Sequence, residues 1–175
     1  VRTAIQRLIA DGLVKNEEHK GAEVIGYTDR DLAEIFELRL LLEPYVASVA
    51  SEHATEAQIQ EMEAINEEMF RLIQSDQDDR IKGIQSLNNQ FHHLLTNAAQ
   101  SGRLRSLVEK FIDTPIIIGS FYFYTDHDML QSYRAHREII AALKLRDRQY
   151  AEIATRFHLT ASHRLFKNQR ATKKP

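Results

Sequence analysis

Two adjacent histidines, His92 and His93, interrupt the apolar stretch LNNQFHHLL that covers residues 87–95. Side chains at adjacent positions of a helix point about 100° apart, so the two imidazoles cannot share one environment. Helical spacing groups the apolar side chains of this segment into one stripe, formed by Ile84, Leu87, Phe91, Leu94, Leu95 and Ala98. His92 and Asn88 lie one turn apart along one edge of that stripe, and His93 lies on the opposite side. We therefore predict that Asn88 and His92 face the core and that His93 faces solvent.

Two later helices each carry one histidine in the middle of an apolar face. His136 has apolar neighbours at helical spacing, namely Met129, Ile139, Ile140 and Leu143. His158 is flanked in the same way by Ala151, Ala154, Ala161 and Leu165. Both are predicted to point inward. The other histidines fall at helix ends, on polar faces or in a turn, and are expected at the surface: His19, His53, His93, His127 and His163.

Three inward histidines on three helices need polar partners, because a buried imidazole without one costs free energy. A single inward histidine is usually a core residue with one hydrogen bond. A metal ion would instead satisfy all three together, and imidazole suits zinc, nickel, copper or iron. The periodicity of the sequence leaves both interpretations open.

The elements that position these residues are almost all helical. The exception is LVKNEEHKGAEVIGY, where two β-prone pieces, Leu13 to Lys15 and Glu23 to Tyr27, flank a polar turn with Gly21 at its tip, which predicts a β-hairpin. Patterns and caps predict helices from about 2 to 10, 28 to 53, 55 to 73, 80 to 99, 102 onward through Pro115, 126 to 145 and 147 to 167. The predicted fold is all-α: a helix and hairpin over residues 1–27, an antiparallel bundle of about six helices over 28–168, and a basic tail over 169–175.

Composition excludes several classes of protein. The chain has 175 residues, a hydrophobic fraction of 43%, a net charge of −2 and no cysteine. It therefore has neither disulfides nor thiolate metal sites, and it is not a polycation. No apolar run is long enough for a membrane span, and no signal peptide is visible, so we expect a cytoplasmic protein.

Two longer stretches resemble a known family. VRTAIQRLIADGLV, residues 1–14, resembles the end of the winged helix-turn-helix of GntR-type transcription regulators, where the recognition helix enters the wing. The hairpin with Lys20 and Gly21 at its turn is similar to that wing. DLAEIFELRLLLEP, residues 31–44, resembles the opening of the helical effector domain in the FadR (FCD) branch. The chain is thus expected to hold this domain and an incomplete winged helix-turn-helix.

The same branch carries an acidic or amide residue four positions before a histidine, followed by two later single histidines. Asn88 and His92 match the pair, and His136 and His158 match the later positions. The resemblance implies that these four side chains bind a divalent metal ion, with zinc as the first candidate and nickel or another transition metal as alternatives. The first position is more often aspartate in the family.

The resemblance further implies a ligand-responsive regulator whose helical domain binds a small carboxylate effector and forms a homodimer on an operator in double-stranded DNA. Arg39 is the candidate second contact of the effector carboxylate, and the alternative is an ion pair with Glu43 one turn later. Arg2 on the recognition helix and Lys20 in the wing are the candidate DNA contacts. Two rival functions fit the histidines: a zinc-dependent hydrolase, and a metal-free interaction or ligand-binding bundle.

Overall fold

The computed structural model describes residues 5–6, 9, 14–17, 21–24, 27–112 and 124–172. Within these ranges the architecture is all-α apart from one small hairpin, as predicted. Six helices follow one another along the chain: α1 (Asp29–His53), α2 (Glu56–Ile73), α3 (Arg80–Ala98), α4 (Gly102–Ile112), α5 (Asp126–Lys144) and α6 (Arg148–Thr172). The sequence also predicts that the helix beginning at residue 102 kinks at Pro115, and this position lies outside the described residues. None of the described helices is both long and apolar enough to cross a membrane.

The chain divides into two compact units, residues 1–37 and 38–175. In the first unit Ile5, Gln6 and Ile9 are helical, and strands β1 (Val14–Glu17) and β2 (Gly21–Val24) pair antiparallel, with Val14 opposite Val24 and Glu17 opposite Gly21. The prediction that Gly21 forms the tip of the hairpin is wrong. Pairing with Glu17 places this glycine in the ladder, so residues 18–20 connect the strands.

Short polar motifs begin three of the helices at the predicted places. Before α1, Thr28 N donates to Asp31 Oδ2 at 2.8 Å, and Asp31 N donates back to Thr28 Oγ1 at 3.2 Å. Thr55 forms the same reciprocal capping box before α2. Before α6, Asp147 Oδ1 accepts from Tyr150 N at 2.9 Å. Each motif satisfies backbone N–H groups that a helix leaves unpaired.

The sequence also predicts Asp126 as the cap of α5, and this prediction is wrong by one residue. Thr125 is the cap, because its hydroxyl accepts from Asp128 N and its own N–H donates to the Asp128 carboxylate. Asp126 is the first helical residue, and its Oδ1 lies 2.7 Å from Arg80 Nη2 at the start of α3. The beginnings of α3 and α5 are therefore neighbours. At the other end of the chain α6 continues to Thr172, past the predicted end near residue 167, because no glycine or proline interrupts it.

Two residues with left-handed backbone hold the end of α1. Gln100 has φ 52° and Arg146 has φ 55°, at the ends of α3 and α5. Gln100 Nε2 donates to His53 O at 2.8 Å, and Arg146 donates to Ala54 O and lies 3.0 Å from Glu56 Oε1. Carbonyl groups at a helix C-terminus lack partners within the helix, so these donors join three helices at one end of the bundle.

Helix α2 packs against α3 and α5, and α5 packs against α6. The main apolar cluster takes buried side chains from all six helices, and a second cluster, which includes Met69, Ile84 and Met129, lies nearer the start of α5. Polar side chains are also buried within the bundle. They include His92, His136 and His158.

Candidate metal centre

The structure brings three histidines together from three helices: His92 from α3, His136 from α5 and His158 from α6. Their exposed fractions are 3%, 0% and 4%. One ring nitrogen from each lies within 4.8 Å of the others. The two closest, His92 Nε2 and His158 Nε2, are 3.2 Å apart.

This spacing fits a shared cation. Ligand nitrogens at about 2.0–2.1 Å from a tetrahedral zinc ion lie about 3.3 Å from one another. The 3.2 Å between His92 Nε2 and His158 Nε2 is close to that value. Without a cation, the same two nitrogens can form only one hydrogen bond with each other, and His136 takes no part in that bond.

Burial keeps the imidazoles of His136 and His158 in the neutral form that binds metal. Burial, then the neighbouring His158 and His92, hold the pKa of His136 well below its ordinary 6.5. Burial, followed by the effect of His92, lowers the pKa of His158 to about 3. A neutral imidazole offers a nitrogen lone pair at physiological pH, and metal binding then displaces no proton from it.

Several buried polar atoms on the three helices that carry the histidines form no hydrogen bond within the described part of the chain: Gln85 Oε1, Asn88 Oδ1, His92 Nδ1, Ser132 Oγ, His136 Nε2 and Thr155 Oγ1. Most buried polar groups in proteins have a partner, so such atoms indicate a bound ion, water or ligand. Asn88 lies one turn before His92, and Ser132 lies one turn before His136. Asn88 Oδ1 is one of these atoms without a partner, and its role as a metal ligand stays a prediction.

Glu43 is a buried carboxylate that sequence reasoning did not place in the site. It is 3% exposed, and its Oε2 lies 3.3 Å from His92 Nδ1. This distance allows electrostatic attraction, but the two groups lack the alignment of a normal hydrogen bond. Burial alone would raise the pKa of Glu43, but the Arg39 guanidinium and His92 together lower it to about 2. A carboxylate on the outer nitrogen of a metal-binding histidine orients the ring and raises its basicity.

Arg39 forms the ion pair that the sequence left as the alternative to effector binding. Its Nε lies 2.6 Å from Glu43 Oε1, and both side chains are almost fully buried. A contact between Arg39 and an effector stays a prediction. The predicted DNA contacts Arg2 and Lys20 lie outside the described residues.

Asn66 on α2 is a second residue that sequence reasoning missed. Its Nδ2 donates to Tyr133 O at 3.2 Å, and its Oδ1 lies 3.1 Å from His136 Nδ1. On one face of the His136 ring, Phe91 stacks with a centroid distance of 4.0 Å and an interplanar angle of 9°. The available signal was a lone amide between the buried residues Met62 and Met69 of an otherwise amphipathic helix.

A narrow opening between α5 and α6 reaches His158. It is lined by Ser132, Ala135, Ala161 and Ser162 among others, and encloses about 10 Å³. This is room for about one water molecule. A larger ligand would therefore need side chains around this opening to move.

Comparisons with known proteins give a consistent result. The FCD domain family matches residues 34–161. The chain is 27% identical over 152 residues to an uncharacterized HTH-type transcriptional regulator, YdhC of Bacillus subtilis, covering 87% of this chain and 67% of that protein. Its fold is similar to that of E. coli McbR/YncC, with a TM-score of 0.82 at 18% identity over 97% of this chain and 84% of that one. A GntR protein of Streptococcus agalactiae gives a TM-score of 0.62 at 22% identity, over 93% and 79% of the two chains.

Proposed function

Since the chain belongs to the FCD family of GntR-type transcription regulators, we propose that its helical unit senses a small organic acid at a bound divalent metal ion. The proposed ligands are Asn88, His92, His136 and His158, with zinc as the first candidate ion and nickel as the alternative. The supporting observation is the burial of three histidines whose nitrogens lie within 4.8 Å of one another. Effector binding then changes the affinity of the winged helix-turn-helix for its operator in the cytoplasm.

A hydrolytic role for the same histidines is not supported. The residues of the site do not exclude it, because Glu43 supplies a carboxylate 3.3 Å from His92. The argument comes from the family instead. Its members are transcription regulators, and the chain is therefore a regulator rather than an enzyme.

The charges of the site favour an anionic effector. His136 and His158 are neutral at physiological pH because their pKa values are lowered, Asn88 has no charge, and the charges of Glu43 and Arg39 balance each other. A divalent cation therefore adds positive charge to a buried site, which is costly unless an anion compensates it. When bound, the cation supplies a fixed positive centre for a carboxylate oxygen.

Polar side chains beside the histidines supply the remaining contacts of the proposed effector. The buried Ser132 hydroxyl and the Gln85 amide oxygen form no hydrogen bond within the described residues. Ser132 lines the opening that leads to His158, and Gln85 lies one turn before Asn88. We assign Arg39 to the carboxylate as well, because its guanidinium matches carboxylate geometry.

We further propose that the first unit contacts DNA and that the protein acts as a homodimer. The β1–β2 hairpin corresponds to the wing, and Lys20 falls in the connection between its strands. Its positive charge would strengthen binding to phosphate groups, while Arg2 on the recognition helix would reach a base edge or a phosphate. Two-fold symmetry of the dimer would set the spacing of the operator half-sites.

An exposed apolar surface on α1 and α6 is the proposed dimer contact. It consists of Leu41, Tyr45, Ile153 and Phe157, with exposed fractions of 66%, 50%, 58% and 61%. Arg156 Nη1 donates to Leu40 O at 3.0 Å and links the two helices. Several large exposed apolar side chains on two linked helices are typical of a protein interface.

The first experiment is a measurement of metal content by mass spectrometry on protein purified without a histidine tag. We expect about one zinc or nickel ion per chain, and an increase in thermal stability on addition of zinc, worth about 2.7 kcal/mol at 100 times the dissociation constant. His136→Ala should abolish both effects. His93→Ala removes a half-buried histidine of the same bundle and is the matched control. If the unsubstituted protein contains no bound metal and is not stabilised by zinc, the proposed metal centre is refuted. The histidines would then be hydrogen-bond partners of an organic ligand.

A further inference from the structure

We propose that Asn66 is a positioning residue of the histidine cluster, which holds His136 in the tautomer that carries its proton on Nδ1. The lone pair of His136 Nε2 then faces His92 and His158. The value of this arrangement for metal binding rests on the proposed function. The tautomer itself does not, because hydrogen bonds within the protein determine it.

The first step is the orientation of the Asn66 amide. Tyr133 O is a backbone carbonyl oxygen, which can only accept a hydrogen bond, and it lies 3.2 Å from the amide nitrogen. The NH2 group of Asn66 must therefore point to Tyr133. This leaves the amide oxygen facing His136 Nδ1 at 3.1 Å.

The second step is the protonation of the imidazole. The amide oxygen of Asn66 can only accept, so His136 Nδ1 must donate, and a neutral ring then has an unprotonated Nε2. That Nε2 is buried and forms no hydrogen bond within the described part of the chain. The chain of hydrogen bonds thus runs from the Tyr133 carbonyl through the Asn66 amide to His136 Nδ1, and it leaves Nε2 without a proton.

The third step is the orientation of the ring. Phe91 stacks on His136 at 4.0 Å between centroids, which fixes the plane of the ring. A half-turn of the imidazole about its Cβ–Cγ bond would keep the ring in this plane. It would place a ring carbon against Asn66 Oδ1 and leave both a buried oxygen and a buried nitrogen unpaired. Asn66 therefore selects between two orientations that Phe91 alone would allow.

His92 receives its orientation from a different type of group. Glu43 Oε2 lies 3.3 Å from His92 Nδ1 and is negatively charged, whereas Asn66 is neutral. Both groups approach the outer Nδ1 atom, and both leave Nε2 for the centre of the cluster. Side chains from two helices, α1 and α2, thus orient the rings of His92 and His136 in the same way, with Nδ1 outward and Nε2 inward.

The test uses ¹⁵N-labelled histidine and NMR of the full, metal-free chain, in which coupling patterns show the protonated nitrogen of each ring. His136, identified from the spectrum of His136→Ala, should carry its proton on Nδ1. Asn66→Leu should mix the two tautomers and weaken zinc binding, measured by competition with a chromophoric chelator, by about 10- to 100-fold. Asn66→Asp keeps an oxygen near Nδ1 and should preserve the tautomer.

Ile59→Val, at a fully buried position two turns earlier on α2, is the control for general destabilisation. It should lower the melting temperature without changing the tautomer or the zinc affinity. A proton on Nε2 of His136 in the unsubstituted protein overturns the proposal, even if Asn66→Leu does not fold. An unchanged tautomer in Asn66→Leu overturns it as well. The Nδ1 tautomer in a protein that binds no zinc supports the role of Asn66 and refutes only the metal centre.

Discussion

Replacement of Glu43 by glutamine tests whether the buried ion pair is a main source of stability. Glu43 and Arg39 are nearly fully buried with 2.6 Å between Oε1 and Nε, so Glu43→Gln leaves the Arg39 charge without its counter-charge. The pKa of Glu43 falls from an ordinary 4.5 to about 2. At about 1.4 kcal/mol for each pH unit, this difference corresponds to about 3 kcal/mol of folding free energy at neutral pH. Loss of one partner of a buried pair typically costs about 3–5 kcal/mol, in agreement with this value.

The same substitution predicts a change in acid stability. Between pH 4.5 and about 2 the unfolded chain takes up a proton that Glu43 of the folded protein does not accept. The contribution of Glu43 is therefore complete above about pH 4.5 and is lost as the pH falls to about 2. Glu43→Gln should lack this part of the acid dependence.

The assay is urea unfolding of the metal-free protein, followed by circular dichroism from pH 7 down to the lowest pH at which it remains folded. Arg30 and Glu34 provide the matched control, because they form an ion pair with the same spacing on the same helix, with side-chain exposures of 87% and 55%. Glu34→Gln should change the free energy of unfolding by about 0.5 kcal/mol or less. A similar small change for Glu43→Gln would refute the reasoning, since it would mean that burial of the pair contributes nothing.

Three further perturbations have definite expected results. Arg146→Ala, which removes the donor to the end of α1, should lower the free energy of unfolding by about 1–2 kcal/mol in urea titrations, whereas Arg148→Ala breaks only an exposed ion pair and should cost less than about 0.5 kcal/mol. Because the pKa of His158 is lowered from 6.5 to about 3, the unfolded state binds more protons than the folded state between these two pH values. The metal-free protein should therefore lose stability as the pH falls below about 6.5, and in His158→Leu this part of the pH dependence should disappear. Phe157→Glu should convert the proposed homodimer to monomers in light-scattering measurements, whereas Leu145→Glu, at another exposed apolar residue (69%), should not; a dimer that survives the first change would exclude the proposed surface.

The sequence predicts the features that depend on local periodicity. His92, His136 and His158 are buried because helical spacing already surrounds them with apolar residues, and the Thr28 and Thr55 caps depend only on the next three positions. These interactions lie within one element, so the order of residues along the helix is sufficient to find them.

The two orienting residues depend on contacts between elements, which periodicity does not contain. Glu43 is buried because His92, 49 positions later, faces it, and the i, i+4 spacing to Arg39 is equally typical of an exposed ion pair such as Arg30–Glu34. Asn66 meets His136 from another helix across 70 positions. A charged or amide residue next to an apolar stripe was a signal in both cases, but it did not identify the partner.

The charge balance of the site also suggests a role for Asn88, the asparagine at the first proposed metal position. Asn88 adds an oxygen without a negative charge, so a cation held by Asn88 and the three histidines keeps more positive charge than it would beside aspartate. Asn88→Asp should therefore bind zinc more tightly, while the zinc-loaded variant should bind carboxylates more weakly than the unsubstituted protein. Chelator competition and titration calorimetry with a panel of small carboxylates measure the two effects. If both affinities rise together, the positive charge of the centre does not select the effector, and the carboxylate would have to be bound by the donors Arg39 and Ser132 instead.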